Sequence, residues 1–212
     1  QLYKFVLDKD FNDRVRHSFP LDWSNLNALA HRHDAVGGRS FVPDWEDLNA
    51  EWQAYIATLD YGYDFDRMAI EFQTGKPLAG QSASATIAAD RGWQTSGVWL
   101  DAGKSYHITA AGRYQIAAEQ LAGKSTPWLC EPGGITIEYH AGRPLGMLLG
   151  AIDRRGNRTA ASGGSFAEPL AIGTQATIKT SVSGTLYFRV NDSAAKLDDN
   201  RGTLSIKVAS RP

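Results

Sequence analysis

Two stretches near the carboxyl end constrain this chain most. Residues 185–190 and 203–208 alternate strictly, with Leu186, Phe188 and Val190 on one face of the first and Leu204, Ile206 and Val208 on one face of the second. An extended backbone sends successive side chains to opposite sides, so a period of two specifies a half-buried strand and does not suit an amphipathic helix. Similar strands are expected at 85–89, 97–100, 105–110, 134–139, 145–152 and 176–179, with turn residues between most of them. Many short strands at this spacing imply an antiparallel β-sandwich or barrel.

Upstream the period is different. Trp45, Leu48, Trp52, Tyr55, Ile56 and Leu59 recur every three or four residues and predict a helix, with Asp44 and Asp47 at its amino end and Gly62 to close it. Weaker helical patterns cover 10–17 and 22–30, where Trp23, Leu26 and Leu29 form a short stripe. Between 75 and 84 the composition shifts to Gly, Pro, Ala and Ser, which bury little surface and mark a connector. The expected fold is therefore mainly β, a jelly-roll-like antiparallel β-sandwich with an N-terminal α-helical extension: a helical segment at 1–75, a connector at 76–84 and the sandwich at 85–212. The tryptophan-bearing helix face needs cover, and the sandwich is the large partner for it in this chain.

Composition excludes several classes. Of 212 residues, 42% are hydrophobic, enough for a real core. Charges nearly cancel at -1, so no global field draws the chain to nucleic acid or an anionic membrane. Arg154, Arg155 and Arg158, around Gly156 and Asn157, read as a solvated turn and not a phosphate clamp. No apolar run is long enough for membrane insertion. Cys130 is the sole cysteine, which excludes an intrachain disulfide and a cysteine-rich zinc site. The first residues lack the basic start and apolar centre of a signal peptide, and the chain begins at Gln1 without methionine, as a mature form or a piece of a longer precursor would.

The segment between the two clearest strands carries the most chemistry. Residues 191–200, Asn-Asp-Ser-Ala-Ala-Lys-Leu-Asp-Asp-Asn, crowd three aspartates and two asparagines into one loop. Carboxylates this close raise one another's pKa unless a cation sits among them, and calcium takes six to eight oxygens from carboxylate, amide and carbonyl groups. An Asx-rich turn bonded to its own backbone explains the same composition, and the residues alone leave both readings open.

Signals for an enzyme are thin. His31, His33 and Asp34 alternate and so diverge on a helix, and no third ligand is placed by spacing. His140, beside Tyr139 and Glu138, ends a predicted strand ahead of a Gly-Pro-containing turn, where a plain turn histidine is expected. No nucleophile elbow or phosphate loop occurs. Trp93, Trp99 and Trp128 suit either the core or stacking on sugar rings.

The stretch from Gly184 to Val208, GTLYFRVND followed by DDNRGTLSIKV, resembles the final hairpin of the PA-IL-type calcium-dependent galactophilic lectins. Residues 102–112, AGKSYHITAAG, look like the strand and glycine turn that deliver the other side of that family's site. The resemblance spans about 85–212 and implies a lectin-like sandwich that binds calcium. Its side-chain ligands would be Asp192, Asp199 and Asn200, with the carbonyl of Lys196 and an upstream carbonyl near Gln115 or Ile116. Asp192, Asn200, Gln115 and Glu131 would face a galactose-like ligand. Asp199 stands where the family has asparagine, Tyr114 is the one candidate for an aromatic expected near Gln115 and Ile116, and Glu131 to Gly134 matches loosely the loop that contacts the sugar's exocyclic hydroxyl.

The function so implied is a non-catalytic, calcium-dependent, galactose-binding module of an extracellular or periplasmic protein, partnered by carbohydrate and not by nucleic acid. Two competitors remain. One is a calcium-stabilised accessory domain that docks on another domain of a larger precursor. The other is the non-catalytic tail of a peptidase-like enzyme, since residues 44–52 resemble the closing helices of such a domain.

Overall fold

The alternating stretches become neighbours of a shared core, one in each of two facing sheets. The computed structural model describes residues 55–121, 123–154 and 166–211, all within one unit, Asn49–Pro212. In chain order these form a short helix α1 (Phe65–Met68) and strands β1 (Lys76–Pro77), β2 (Ser82–Ala88), β3 (Gln94–Leu100), β4 (Ser105–Ala111), β5 (Tyr114–Leu121), β6 (Lys124–Cys130), β7 (Ile135–His140), β8 (Arg143–Leu145), β9 (Leu148–Asp153), β10 (Leu170–Ala171), β11 (Gln175–Lys179), β12 (Gly184–Val190) and β13 (Thr203–Arg211). One sheet runs β1-β3-β12-β9-β10 and the other β11-β4-β13-β2, while β5-β6 and β7-β8 are separate two-stranded units. Apart from the parallel β1–β3 pair, the pairings are antiparallel. The chain is thus mainly β, with the antiparallel strands the alternation predicts.

β13 behaves as its sequence says: Leu204, Ile206 and Val208 are buried and the intervening Thr203, Ser205 and Lys207 are exposed. β12 does not. Leu186, Phe188 and Val190 face the common core with Leu100, Ile108 and Leu148, but Thr185, Tyr187 and Arg189 on its other face are buried as well. Cover comes from Trp93, from Phe166 between β9 and β10, and from Phe72 in the chain before β1; the Phe72 and Phe166 rings lie 6.3 and 5.4 Å from that of Tyr187. The Tyr187 hydroxyl accepts from the Gln73 amide at 2.8 Å and donates to the Gln73 carbonyl at 3.1 Å, so the aromatic payload is buried without an orphaned polar tip.

Two glycines set strand geometry. A Cβ at Gly184 would meet the Asp153 carbonyl oxygen at 2.3 Å, so β12 approaches β9 closely only because no side chain is there. Gly146, at φ +82, divides the continuous strand expected over 145–152 into β8 and β9, which join different sheets. The hairpin β5–β6 escaped the sequence reading because Pro127 and Gly123 interrupt its pattern and Ile116 bulges out of register. Residues 76–84, expected as a connector, include β1 and the first residues of β2. The expected helices at 10–17 and 22–30 lie outside the described residues, as do Trp45, Leu48 and Trp52. Of that third helix Tyr55 and Ile56 are helical, a turn follows, and Ile56 and Leu59 are exposed.

Candidate functional site

The loop between β12 and β13 folds back through two turns. The Lys196 amide donates to the Ser193 carbonyl at 3.0 Å, and Leu197–Asp199 make one 3₁₀ turn. Leu197 and Ala194 bury against Met68 of α1, Asp64 donates its amide to the Ala194 carbonyl at 3.0 Å, and the Ser193 hydroxyl donates to Asp60 Oδ2 at 3.0 Å. The segment before β1 therefore supports the loop from behind. From below, the Arg189 guanidinium donates to the Asp192 carbonyl at 2.6 Å and lies 5.7 Å over the Trp93 ring. Burial lowers the pKa of Arg189 to about 10, partly offset by the Asp192 charge.

Within this frame Asp192 is 1% exposed. Its Oδ1 accepts from the Ser193 amide at 2.7 Å and its Oδ2 from Asn200 Nδ2 at 2.9 Å. Burial nevertheless pushes its pKa up to about 6, because those two hydrogen bonds do not replace lost water and the Asp199 charge adds repulsion. Asp199 Oδ2 accepts from the Ala118 amide at 3.1 Å, and the Asp199 carbonyl accepts from the Gln115 side chain. Two acceptor oxygens, Asp199 Oδ1 and Asn200 Oδ1, are buried with no hydrogen-bond partner. Orphaned buried acceptors cost about 1–3 kcal/mol each, and a hard cation satisfies them.

The expected residues are brought together in large part. Asp192, Lys196, Asp199 and Ile116 all line one pocket of about 400 Å³, with Trp128 and Glu138 on its walls. Asn200 is fully buried and bonded to Asp192. The Gln115 amide and carbonyl are both paired with Arg201, at 2.9 and 3.1 Å, whereas the bulge takes Ile116 out of the β5–β6 pairing register and Ile116, unlike Gln115, lines the pocket. Gln115 acts on Asp199 and does not line the pocket; neither does Glu131, whose carbonyl lies 3.1 Å from the Tyr114 hydroxyl. Among the described residues no three His, Cys, Asp or Glu side chains converge on one point. The side-chain donors gathered here are two carboxylates and an amide, an all-oxygen set of the kind calcium takes.

Tyr114 is not the aromatic of the pocket. It is 1% exposed and donates to the Gly146 carbonyl, which places its ring in the core. Trp128, half-buried, takes that position from the neighbouring strand, while Trp93 is core. His140 ends β7 before a turn in which Ala141 and Gly142 have φ +48 and +75, the two-residue hairpin geometry. Its imidazole pKa is lowered by burial and the Arg189 charge.

Asn191 was not anticipated. Its Nδ2 lies 2.9, 3.1 and 2.9 Å from the carbonyls of His140, Arg143 and Pro144, and its own amide and carbonyl bond to Met147 and Gly146. One side chain thus ties the β7–β8 hairpin, which bears Glu138, to the end of β12. A polar residue directly after a fully apolar strand face was the one hint in the sequence.

No protein-family model matches the chain, and no curated protein matches it. Among solved structures, the chain is similar to one described as "EclA N-terminal domain; PllA-like lectin", at 22% identity over 60% of this chain and 95% of that one, with a TM-score of 0.43.

Proposed function

We propose that this chain is a non-catalytic, calcium-dependent carbohydrate-binding module. The observation that carries the proposal is the pair of buried, unpartnered oxygens, Asp199 Oδ1 and Asn200 Oδ1, beside the desolvated carboxylate of Asp192. Calcium would be held by Asp192, Asp199, Asn200 and the carbonyls of Lys196 and Ile116, leaving part of its shell toward the pocket. The ion supplies Lewis-acid coordination, which two vicinal hydroxyls can complete in place of water. The chain's own residues desolvate and orient: Arg189 and the Asp60–Asp64 segment fix the loop, and Trp128 offers an apolar wall for a sugar ring. Galactose-type ligands come first because of the sequence resemblance, and the same resemblance supports an exported protein.

The test is a glycan array and a melting curve, each run with millimolar calcium and with chelator. Glycan signals and a higher Tm that both vanish on chelation are expected. A Tm rise without any glycan signal would favour a calcium-stabilised accessory domain, and no response to calcium at all would overturn the proposal.

A further inference from the structure

We infer that the ligand of this pocket carries a positive charge beside its hydroxyls, the chemistry of an amino sugar with a free ammonium group. The inference rests on the calcium-and-diol reading above and adds what the remaining lining of the same pocket selects.

The lining is strongly asymmetric in charge. Asp192, Asp198, Asp199, Glu119 and Glu138 contribute five carboxylates, against the single ammonium of Lys196. A divalent cation among the buried oxygens of Asp192, Asp199 and Asn200 offsets two of them, and Lys196 a third. Glu119 and Glu138 belong to other elements, β5 and β7, and neither forms an ion pair among the described residues. Glu138 is half-buried, so its field is less screened than on an open surface, while Glu119 is exposed and contributes a more weakly held charge. Trp128, from β6, shares this lining, and an indole face attracts an ammonium group as well as a sugar's C–H face.

A pocket of about 400 Å³ matches a monosaccharide with room for one substituent. With hydroxyls on the cation, an amine directed at Glu119, Glu138 and Trp128 meets carboxylates and an indole. A carboxylate-bearing sugar meets repulsion in the same place.

The experiment is calorimetric titration, in calcium at pH 7, with galactose, galactosamine and galacturonic acid. Galactosamine is expected to bind about three- to tenfold more tightly than galactose, in line with a partly screened ion pair, and galacturonic acid correspondingly more weakly. The ratio of galactosamine to galactose affinity should shrink in Glu138→Gln and in Glu119→Gln, and in the unaltered protein it should shrink when salt is raised to about 0.5 M. Equal affinities for all three sugars, in a protein whose galactose binding depends on calcium, would overturn the amino-sugar inference alone. Silence from all three while calcium still raises Tm would overturn it together with the carbohydrate reading.

Discussion

Asp192→Asn should behave oppositely with and without calcium. In the ion-free protein the carboxylate is 1% exposed and its pKa is raised to about 6. A rise of about two units from the ordinary aspartate value disfavours the ionised form at neutral pH by roughly 3 kcal/mol, which the amide variant is spared. Against that, the amide offers one acceptor where the carboxylate serves two donors, the Ser193 amide and Asn200 Nδ2. Leaving one of them unpaired costs about 1–3 kcal/mol. These nearly cancel, so in chelator the variant should melt close to the parent. In calcium they separate: the parent gains about 2.7 kcal/mol at a hundredfold excess over Kd, or about 5–11 °C for a unit of this size, and the variant gains nothing. Scanning calorimetry of both proteins in each condition reads this directly. An Asp192→Asn protein whose Tm rises with calcium as far as the parent's would refute the assignment.

The remaining predictions concern the loop and its supports. Asp199→Ala should weaken calcium binding far more than Asp198→Ala, because Asp199 carries a buried unpartnered oxygen and Asp198 is exposed; calorimetric titration giving the reverse order would mean the register is shifted. The calcium-induced rise in Tm should shrink from pH 7.5 to pH 5. The folded pKa of Asp192 lies above its unfolded value in the ion-free protein, so its contribution is favourable at low pH and lost as pH rises through about 6, and protons compete with the ion in that window. Asn191→Ala should cost about 1–3 kcal/mol by unpairing half-buried carbonyls at the β7–β8 hairpin, measured by urea unfolding. Gly146→Ala should destabilise by more than about 2 kcal/mol, since its Cβ would stand 2.6 Å from Cys130 Sγ at a positive φ, and adding Cys130→Ala should recover part of that loss.

What the sequence by itself determined is what local geometry can determine. Side-chain direction alternates in any extended backbone, so Leu204, Ile206 and Val208 were legible as one buried face, and Asp192, Asp199 and Asn200 as one acidic loop, without knowing what lies opposite. The helix expected across Tyr55 to Leu59 reached only Ile56 among the described residues, a boundary that spacing alone could not set.

Tertiary structure decided everything that depends on a distant partner. Arg189 and Tyr187 read as the wet face of β12, and they are buried because Trp93, Phe72 and Phe166 converge on them from elsewhere in the chain. The pocket's aromatic is Trp128 and not Tyr114, because Tyr114 pairs with Cys130 and its hydroxyl donates to Gly146, which hold the tyrosine in the core. The two orphaned oxygens, on which the proposed cation site rests, follow from burial and hydrogen-bond pairing, which the composition of a loop does not contain.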